Sequence, residues 1–318
     1  MKQLIPLLLL AILLTSCQTP LEVKETRELM GTFVTITVYH EDQELAQQAI
    51  NEAYNEIIRI DSLLSSYKEN SEVSFLNKDK YINSPSKDLL INLEKSNYYS
   101  EISQGSFDIT VQPILDLYKT SFAENNKPPT EEEIKTTLEL INYKDLTIGK
   151  SKIELKENMK VTLGGIAKGY VIDKAIETLQ KNNIQHALVN AGGDMRAIGK
   201  KPTNNWQIAL ENPRDKSQYI TILNINNKAV ATSGDYERYF DPEKKFHHII
   251  NPNTGYSATE LISVTIITDK AIDADALATS VFVLGKEEGL KLIETLDNVK
   301  GLLITKDRDI IKSSGFEN

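Results

Sequence analysis

Apolar and polar residues alternate near the start of the chain and then recur at helical spacing. In the stretch FVTITVY, residues 33–39, Val34, Ile36 and Val38 alternate with threonine or tyrosine, which predicts a half-buried strand. From residue 46 to residue 64, apolar side chains follow one another every three or four positions. This spacing predicts a long amphipathic helix, so the chain opens with a strand followed by a helix.

Two further helices are predicted before the middle of the chain. The polar stretch at residues 65–77 is predicted as a loop, and a helix is predicted over residues 87–103, with Gly105 as its C-cap. In ENNKPPTEEEI, two prolines precede Thr130, and Glu133 follows three positions later. This spacing is typical of a capping box, so a helix is predicted to begin directly after Thr130.

Short apolar segments separated by turns dominate the second half of the chain. From about residue 143, LTIG, IEL and KVTL are predicted as strands, and a helix is predicted over residues 166–182. HALVNAGG at 186–193 and LISVTIIT at 261–268 are predicted as strands, and two helices flank Gly285. GLLIT and a hairpin at KDRD follow. This order lacks a regular βαβ repeat and therefore predicts an α+β fold.

Composition limits the possible functions. The chain has 318 residues, of which 40% are hydrophobic and 25% are charged, and its formal net charge is −9. These values are ordinary for a globular protein long enough to bury a large core. The acidic balance argues against a nucleic-acid partner, since phosphate backbones select basic surfaces. An anionic cofactor would need local cations or a metal ion.

The N-terminus, MKQLIPLLLLAILLTSCQTP, resembles a bacterial lipoprotein leader. Lys2 precedes an apolar segment at residues 4–14 that is too short to span a bilayer. LTSC then ends at Cys17, the only cysteine. We expect residues 1–16 to be a signal peptide and 17–26 a tether lipidated at Cys17. The protein would then be exported and anchored to a bacterial membrane, facing the periplasm or another extracytoplasmic space. An ordinary signal peptide cleaved nearby is the alternative.

Two glycine pairs suggest a binding cleft. In TLGGIAKGY, Gly164-Gly165 precedes the predicted helix, whose N-terminus and Lys168 together would suit a phosphate. A tight turn with a surface lysine explains the same residues equally well. In LVNAGGDMRAIG, a predicted strand ends at Gly192-Gly193-Asp194. A hairpin with a bulge is the simpler explanation there, although two such turns would be able to line one cleft.

Oxygen-bearing side chains share a helical face in AIDADALATS. Asp275 and Thr279 are one helical turn apart, and oxygen ligands suit a hard cation such as Mg²⁺. The alternative is a helix start at which Asp273 acts as the N-cap. His247 and His248 point to opposite faces if they lie on a strand, so at most one of them faces a given site. No Cys or carboxylate at ligand spacing accompanies them, which disfavours zinc.

Seven stretches, taken together and in this order, resemble one family, the bacterial FAD:protein FMN transferases, or ApbE-like flavin transferases. They are LMGTFVTITV, GSFDITVQPILDLY, TLGGIAKGYVID, LVNAGGDMRAIG, ATSGDYERYF, HHIINPNTG and DADALATSVFVLG. They extend from about residue 29 to residue 285. The resemblance implies a single large flavin transferase domain over residues 27–318. Its ApbE, T-fold-like architecture would have mixed, mainly antiparallel sheets flanked by helices.

The resemblance also implies a reaction. Members of this family transfer FMN from FAD to a threonine or serine hydroxyl of a target protein in a Mg²⁺-dependent step, which forms a phosphoester and releases AMP. Their typical targets are subunits of membrane electron-transport complexes. Two alternatives stay open, namely an FAD pyrophosphatase that releases FMN and AMP, and a flavin-binding lipoprotein without catalysis.

Site residues follow from the same resemblance. Mg²⁺ would be held by Asp275, Thr279 and a backbone carbonyl of Gly165, and His248 would act near the pyrophosphate as a charge stabiliser or proton donor. The residues implied to contact the cofactor are Met30, Tyr67, Ser106, Phe107, Asp108, Thr162, Lys168 and Ile250. One departure is Thr162, since many members carry aspartate there.

Overall fold

A computed structural model describes residues 20–316 of the chain. Within this range the strands are β1 (Leu21–Leu29), β2 (Thr32–His40), β3 (Tyr81–Asn83), β4 (Thr147–Ile148), β5 (Lys152–Glu154), β6 (Ala187–Ala191), β7 (Asp194–Ile198), β8 (Trp206–Asn212), β9 (Asp215–Ile225), β10 (Ala229–Gly234), β11 (Leu261–Thr268), β12 (Lys300–Thr305) and β13 (Ile310–Lys312). The helices are α1 (Gln43–Leu64), α2 (Glu72–Asp79), α3 (Lys87–Ile102), α4 (Gln112–Asn125), α5 (Glu131–Leu138), α6 (Ala167–Lys181), α7 (Ala271–Leu284) and α8 (Lys286–Glu294).

The strands form three sheets, and every strand pair in them is antiparallel. The largest has eight strands in the order β1-β2-β6-β7-β10-β11-β12-β13. β3, β5 and β4 form a small sheet, and β8 and β9 form a separate hairpin. Helices flank the main sheet, which confirms the predicted α+β fold with mainly antiparallel sheets.

Both faces of the main sheet are covered. In β10, Ala229 and Ala231 pack into the large core that contains α1, α6 and α7, whereas Val230 points to the opposite face. There the β8–β9 hairpin buries Trp206 and Ile208 against it. This arrangement follows from the alternation of side chains along a strand. β11 is buried along its whole length, as expected for a strand covered on both sides.

The N-terminal prediction needs a correction. Residues 21–26, assigned to the tether from the sequence, lie in β1, which pairs with β2 over its whole length. The tether prediction is therefore wrong for these six positions. Cys17 and the predicted signal peptide at residues 1–16 lie outside the described residues. Among residues 20–316, no helix is long and apolar enough to cross a membrane.

Two local predictions were also wrong. Within the supposed loop at 65–77, α2 begins after Ser71, whose hydroxyl accepts the Ser74 N–H at 3.0 Å. KVTL is not a strand, although Val161 and Leu163 are buried. The amide side chain of Asn77 bonds both the N–H and the carbonyl of Val161, at 2.7 and 2.8 Å. The Asn77 side chain thus pairs with the backbone groups of Val161 that a neighbouring strand would otherwise bond.

A buried carboxylate joins α6 to α7. Asp173 accepts the N–H groups of Ala271 and Ile272, each at 3.0 Å, and the Arg196 guanidinium at 2.7 Å. A carboxylate at this position stabilises the free N–H groups and positive end of α7. The helices also meet closely at Gly169, where a β-carbon would lie 2.2 Å from the Ala271 carbonyl oxygen. These contacts set the relative position of the two helices.

Replacing Thr130 with alanine is expected to lower the free energy of unfolding by about 1 kcal/mol. The predicted capping box is present, with the Glu133 N–H donating to the Thr130 hydroxyl and the Thr130 N–H donating to the Glu133 carboxylate. Urea unfolding followed by circular dichroism measures the change. Thr136→Ala, at an exposed position of the same helix, is the control. Equal losses in the two variants would contradict a capping role.

Candidate active site

One cleft brings together all the residues assigned from the sequence to catalysis, cofactor contact or metal binding. It has a volume of about 2030 Å³ and extends from the α6–α7 face of the main sheet, past Asp194 and Gly234, to the face covered by the β8–β9 hairpin. Its lining includes Met30, Tyr67, Ser106, Phe107, Asp108, Thr162, Gly165, Lys168, His248, Ile250, Asp275 and Thr279. The glycine turn near residue 165 and the helix carrying Asp275 are therefore on the same side of the molecule.

Asp275 and Thr279 form part of the floor of this cleft. Both lie on α7, one turn apart, and Asp275 is buried. The Gly169 N–H donates to the Asp275 carboxylate at 2.9 Å, and the Thr279 hydroxyl lies 3.3 Å from the Ser233 hydroxyl of β10. The alternative in which Asp273 caps the helix is wrong, because the N-cap position is Lys270.

Gly165 packs directly against this floor. A β-carbon at position 165 would lie 3.0 Å from Thr279 Oγ1 and 3.2 Å from a ring carbon of Phe107. The absence of a side chain therefore allows the 164–165 turn to approach α7 closely. Thr162 shapes the same turn, since its hydroxyl accepts the Gly164 N–H at 3.3 Å. Backbone and side-chain oxygens of separate segments meet here.

The charges on the floor are unbalanced. Burial, followed by the charge of the nearby Asp194, raises the pKa of Asp275 to about 7, against the opposing effect of Lys168. Lys168 lies 2.9 Å from Asp194 Oδ2. Burial alone would lower the pKa of Lys168, but the charges of Asp194 and Asp275 outweigh burial and raise it. Two carboxyl groups thus share one ammonium, so the floor is an environment that favours binding of a further cation.

The donor set fits magnesium better than a metal held by several side chains. Among residues 20–316, no three His, Cys, Asp or Glu side chains come together as metal ligands. Magnesium usually takes one or two protein carboxylates and completes its shell with water and phosphates. A buried Asp275, the Thr279 hydroxyl and the adjacent 164–165 turn match that requirement in number and in chemistry.

The two histidines have different surroundings. His247 is buried, bonds the Ala258 carbonyl through Nε2 at 2.8 Å and packs its ring against Phe282. His248 lines the cleft, with Nδ1 3.3 Å from the Arg238 carbonyl. A bond to a carbonyl requires the proton on Nδ1, which leaves the Nε2 lone pair of a neutral ring free to accept. Only His248 is placed for chemistry.

The pKa of His248 decides which chemical role it can take. Burial, followed by the charge of Arg238, lowers this pKa to about 4. The ring is therefore neutral at physiological pH. A neutral imidazole with a free Nε2 suits proton acceptance, whereas the sequence led us to expect a charge stabiliser or proton donor.

Comparisons with known proteins agree with this geometry. A family model described as the ApbE family matches residues 30–303. The chain belongs to the ApbE family. An FAD:protein FMN transferase of Klebsiella pneumoniae is 30% identical over 294 residues, covering 90% of each chain. One of Haemophilus influenzae is 30% identical over 329 residues, covering 96% of this chain and 93% of its own.

Solved structures support the same relationship. The ApbE protein of Thermotoga maritima superposes with a TM-score of 0.84 at 31% identity, covering 92% of this chain and 97% of its own. The flavin transferase ApbE of Vibrio cholerae superposes with a TM-score of 0.80 at 27% identity, covering 93% and 98%. The architecture of the ApbE family therefore extends over nearly all the described residues.

The remaining residues implied by the ApbE resemblance differ in how they meet the cleft. Tyr67 is 82% exposed, so its ring is available for stacking at the rim. Met30 lies in the β1–β2 turn, while Ser106 and Ile250 are buried in the wall. The oxygens of Asp108 already accept the N–H and hydroxyl of Thr110 and the N–H of Tyr143. Asp108 therefore holds the wall in shape.

Sequence reasoning missed part of this ApbE site. Asp194 was noticed in its Gly-Gly-Asp turn but was given no role, although its carboxylate lies beside Lys168 and influences Asp275. Helix α4 contributes Leu115 and Lys119 to the cleft, although the sequence pattern predicted no helix there. Pro113 at the start of α4 was the available signal, because proline is favoured in the first turn of a helix.

The buried state of His248 makes stability dependent on pH. Its pKa is about 4 in the folded protein and 6.5 ordinarily, so the unfolded chain binds more protons between these values. The stabilisation is complete above pH 6.5 and is lost as the pH falls toward 4. We expect His248→Gln to lose less stability than the wild type over this window, as measured by urea unfolding at several pH values. Identical losses would contradict this assignment.

Proposed function

We propose that this chain transfers FMN from FAD to a threonine or serine hydroxyl of a target protein, forming a phosphoester and releasing AMP. The relatives from Klebsiella pneumoniae and Haemophilus influenzae are named FAD:protein FMN transferases and match nearly their full length. One observation carries the proposal. Asp275, Thr279 and the Gly164–Gly165 turn meet on the floor of a single large cleft, beside the ammonium of Lys168.

FAD would bind as a substrate along this floor. Tyr67 offers an exposed aromatic face to one of the two ring systems of FAD. Lys168 lies in the first turn of α6, where its ammonium and the helix N-terminus both favour a diphosphate. The buried wall at residues 106–108 would bound the substrate on another side. These contacts would orient the diphosphate over Asp275.

Asp275, Thr279 and a backbone carbonyl of Gly165 would hold Mg²⁺. When bound, the ion would neutralise the diphosphate and make AMP a better leaving group. Asp275 is buried, and its carboxylate already accepts a hydrogen bond from the Gly169 N–H. Its position is therefore fixed before the substrate binds. Preorganised charge of this kind is a large source of catalytic rate.

The acceptor hydroxyl would attack the phosphorus nearer the riboflavin. A new O–P bond forms, the bond from that phosphorus to the bridging oxygen breaks, and AMP leaves with the electron pair. The hydroxyl proton must pass to a base during this exchange. We propose that Nε2 of the neutral His248 accepts it, because Nδ1 is engaged with the Arg238 carbonyl.

Mass spectrometry tests the transfer. The chain is mixed with FAD, Mg²⁺ and candidate subunits of membrane redox complexes, and each subunit is examined for a gain in mass equal to a phosphoester-linked FMN on Thr or Ser. Reactions without FAD, or with EDTA, are the controls. Release of free FMN and AMP without any labelled subunit would overturn the transferase proposal in favour of a pyrophosphatase.

The membrane location is a separate proposal. The leader pattern and the lone Cys17 support export and lipid anchoring on the outer side of a bacterial membrane. An anchored enzyme in that position would meet membrane redox subunits directly, which is consistent with such targets.

A further inference from the structure

The edge of one strand forms a wall of the cleft. Six consecutive residues, 208–213, line the cavity. Because side chains of a strand alternate between its two faces, a cavity that touches consecutive residues meets the strand along its edge. The alternation in β8 is regular, with Ile208 and Leu210 buried and Ala209 and Glu211 exposed. The cleft therefore runs along the backbone of β8.

This edge has no strand partner within residues 20–316. β8 pairs with β9 on one side, and the two strands form a sheet of their own. Apart from that ladder, no backbone hydrogen bond joins residues 206–212 to another described segment. Natural sheets often protect exposed edges with lysine, proline or a bulge. WQIALEN contains no lysine or proline, and its pairing with β9 is regular from Trp206 to Leu210, with bulges only at its end, between Leu210 and Asn212. The N–H and carbonyl groups along this edge are available for pairing.

A chamber opens beneath the hairpin at the same edge. Val230 packs under the hairpin, so Thr232, two positions along β10, points to the same side. The hydroxyls of Thr232 and Thr265 bond each other at 2.9 Å. Hydroxyl-bearing and apolar side chains line this part of the cavity, namely Met195, Ile208, Leu210, Ile220, Thr232, Ser263, Thr265, Leu302 and Ile304. Alternate side chains of an added strand would find a mixed pocket there.

The chamber is continuous with the reaction floor and provides room beyond one nucleotide. Asp194 joins the two parts, since its carboxylate accepts the Thr232 N–H at 3.1 Å and lies 2.9 Å from the Lys168 ammonium. The Ser233 side chain points to the other face of the sheet, where it lies 3.3 Å from the Thr279 hydroxyl. The whole cleft measures about 2030 Å³, whereas a small-molecule pocket typically holds about 300–1,000 Å³. FAD alone therefore leaves a large part of the cleft empty, and the second substrate is a polypeptide that must reach the floor.

We propose that the free edge of β8 is the docking strand for the flavin-acceptor protein. An extended segment of the acceptor pairs its backbone with residues 208–212, places alternate side chains in the chamber under the hairpin, and so presents its Thr or Ser hydroxyl to the floor. Backbone pairing supplies affinity and the chamber supplies selectivity. This inference rests on the proposed FMN transfer.

The hairpin is held in place beside the floor. Arg214, in the turn between β8 and β9, donates two hydrogen bonds to the Asp235 carboxylate, at 2.8 and 2.6 Å. Asp235 directly follows β10 and belongs to the loop that carries Arg238. A bidentate pair of this kind fixes orientation as well as distance. The docking edge is thus preformed relative to the residues that act on FAD.

Backbone-methylated acceptor peptides test the inference. A pool of peptides of about twelve residues, each with one central Thr, is incubated with the full chain, FAD and Mg²⁺, and labelled members are identified by their FMN mass gain. N-methyl groups are then introduced one position at a time. We expect kcat/KM to fall about tenfold at every second position and to change less than about twofold at the positions between. The intervening positions are the internal control.

Amide hydrogen exchange of the enzyme provides a readout independent of turnover. We expect the peptide pool to slow exchange at alternate residues of β8, and FAD alone to leave β8 unchanged. Labelled peptides without the two-residue periodicity, or protection of β8 by FAD alone, would overturn the docking proposal and leave FMN transfer intact. If the pool protects β8 but no peptide gains FMN, docking is supported and the proposed transfer fails. If the pool does not protect β8 and no peptide gains FMN, docking is rejected.

Discussion

Asp275→Asn is expected to reduce the rate of FMN transfer by about 10³-fold, or about 4 kcal/mol of transition-state stabilisation. Asparagine keeps the shape of the side chain and an oxygen for the Gly169 N–H, but it removes the negative charge on which a divalent cation depends. The structure places this charge beside Asp194 and Lys168 with little access to water. Initial rates of FMN attachment at saturating FAD measure the loss.

Asp273→Asn is the matched control for this change. Asp273 is on the same helix but bonds Tyr99 and Lys95, outside the cleft lining. We expect its transfer rate to stay within about threefold of the wild type, because Asp273 lies outside the cleft and its partly exposed ion pair with Lys95 contributes little. Equal rates for Asp275→Asn and Asp273→Asn would show that the Asp275 charge has no part in the reaction.

Gly165→Ala is expected to reduce the transfer rate by about 10²-fold while destabilising the fold by about 1–3 kcal/mol. The new β-carbon would lie 3.0 Å from Thr279 Oγ1 and 3.2 Å from the Phe107 ring. Relief of this contact requires the 164–165 turn to move away from α7, which separates the groups that form the floor. Transfer rates and the thermal unfolding midpoint, measured together, separate the two effects.

The neighbouring glycine gives the comparison for that experiment. A β-carbon at position 164 would meet only Thr162 Oγ1, at an ordinary 3.5 Å. Gly164→Ala is therefore expected to retain activity within about threefold of the wild type. A loss of activity in Gly164→Ala as large as that in Gly165→Ala would contradict the close-approach explanation.

Local sequence patterns correctly predicted the elements that are stabilised by interactions between residues close together in the chain. The helix from residue 46 to residue 64 follows from its apolar spacing, and the capping box at Thr130 follows from two side chains three positions apart. β1 was missed because its inward positions include Glu25 and Arg27. Arg27 lies over the Tyr54 ring, 4.1 Å from its centroid. A strand whose buried side carries charged residues has no apolar alternation to detect.

Most contacts of the site join residues far apart in the chain, and local sequence patterns do not predict such contacts. The shared face of Asp275 and Thr279 is a property of one helix and was visible in the sequence. The close approach of Gly165 to that helix, the ion pair of Lys168 with Asp194 and the Asn77 bonds that replace a strand at Val161 join distant segments. Only the resemblance across seven stretches indicated that these segments converge, and it gave no role to Asp194.

The buried bonds of Asp173 restrict how substrate can enter and leave. Moving α7 away from α6 would break the bonds from the Ala271 and Ile272 N–H groups to this buried carboxylate and leave it only its Arg196 partner on β7, at a cost of about 1–3 kcal/mol for each buried group left unpaired. The two helices that carry Lys168 and Asp275 therefore behave as one rigid unit during turnover. FAD arrival and AMP departure must proceed by rearrangement of the peripheral segments around Tyr67 and Arg238, with the interior staying closed.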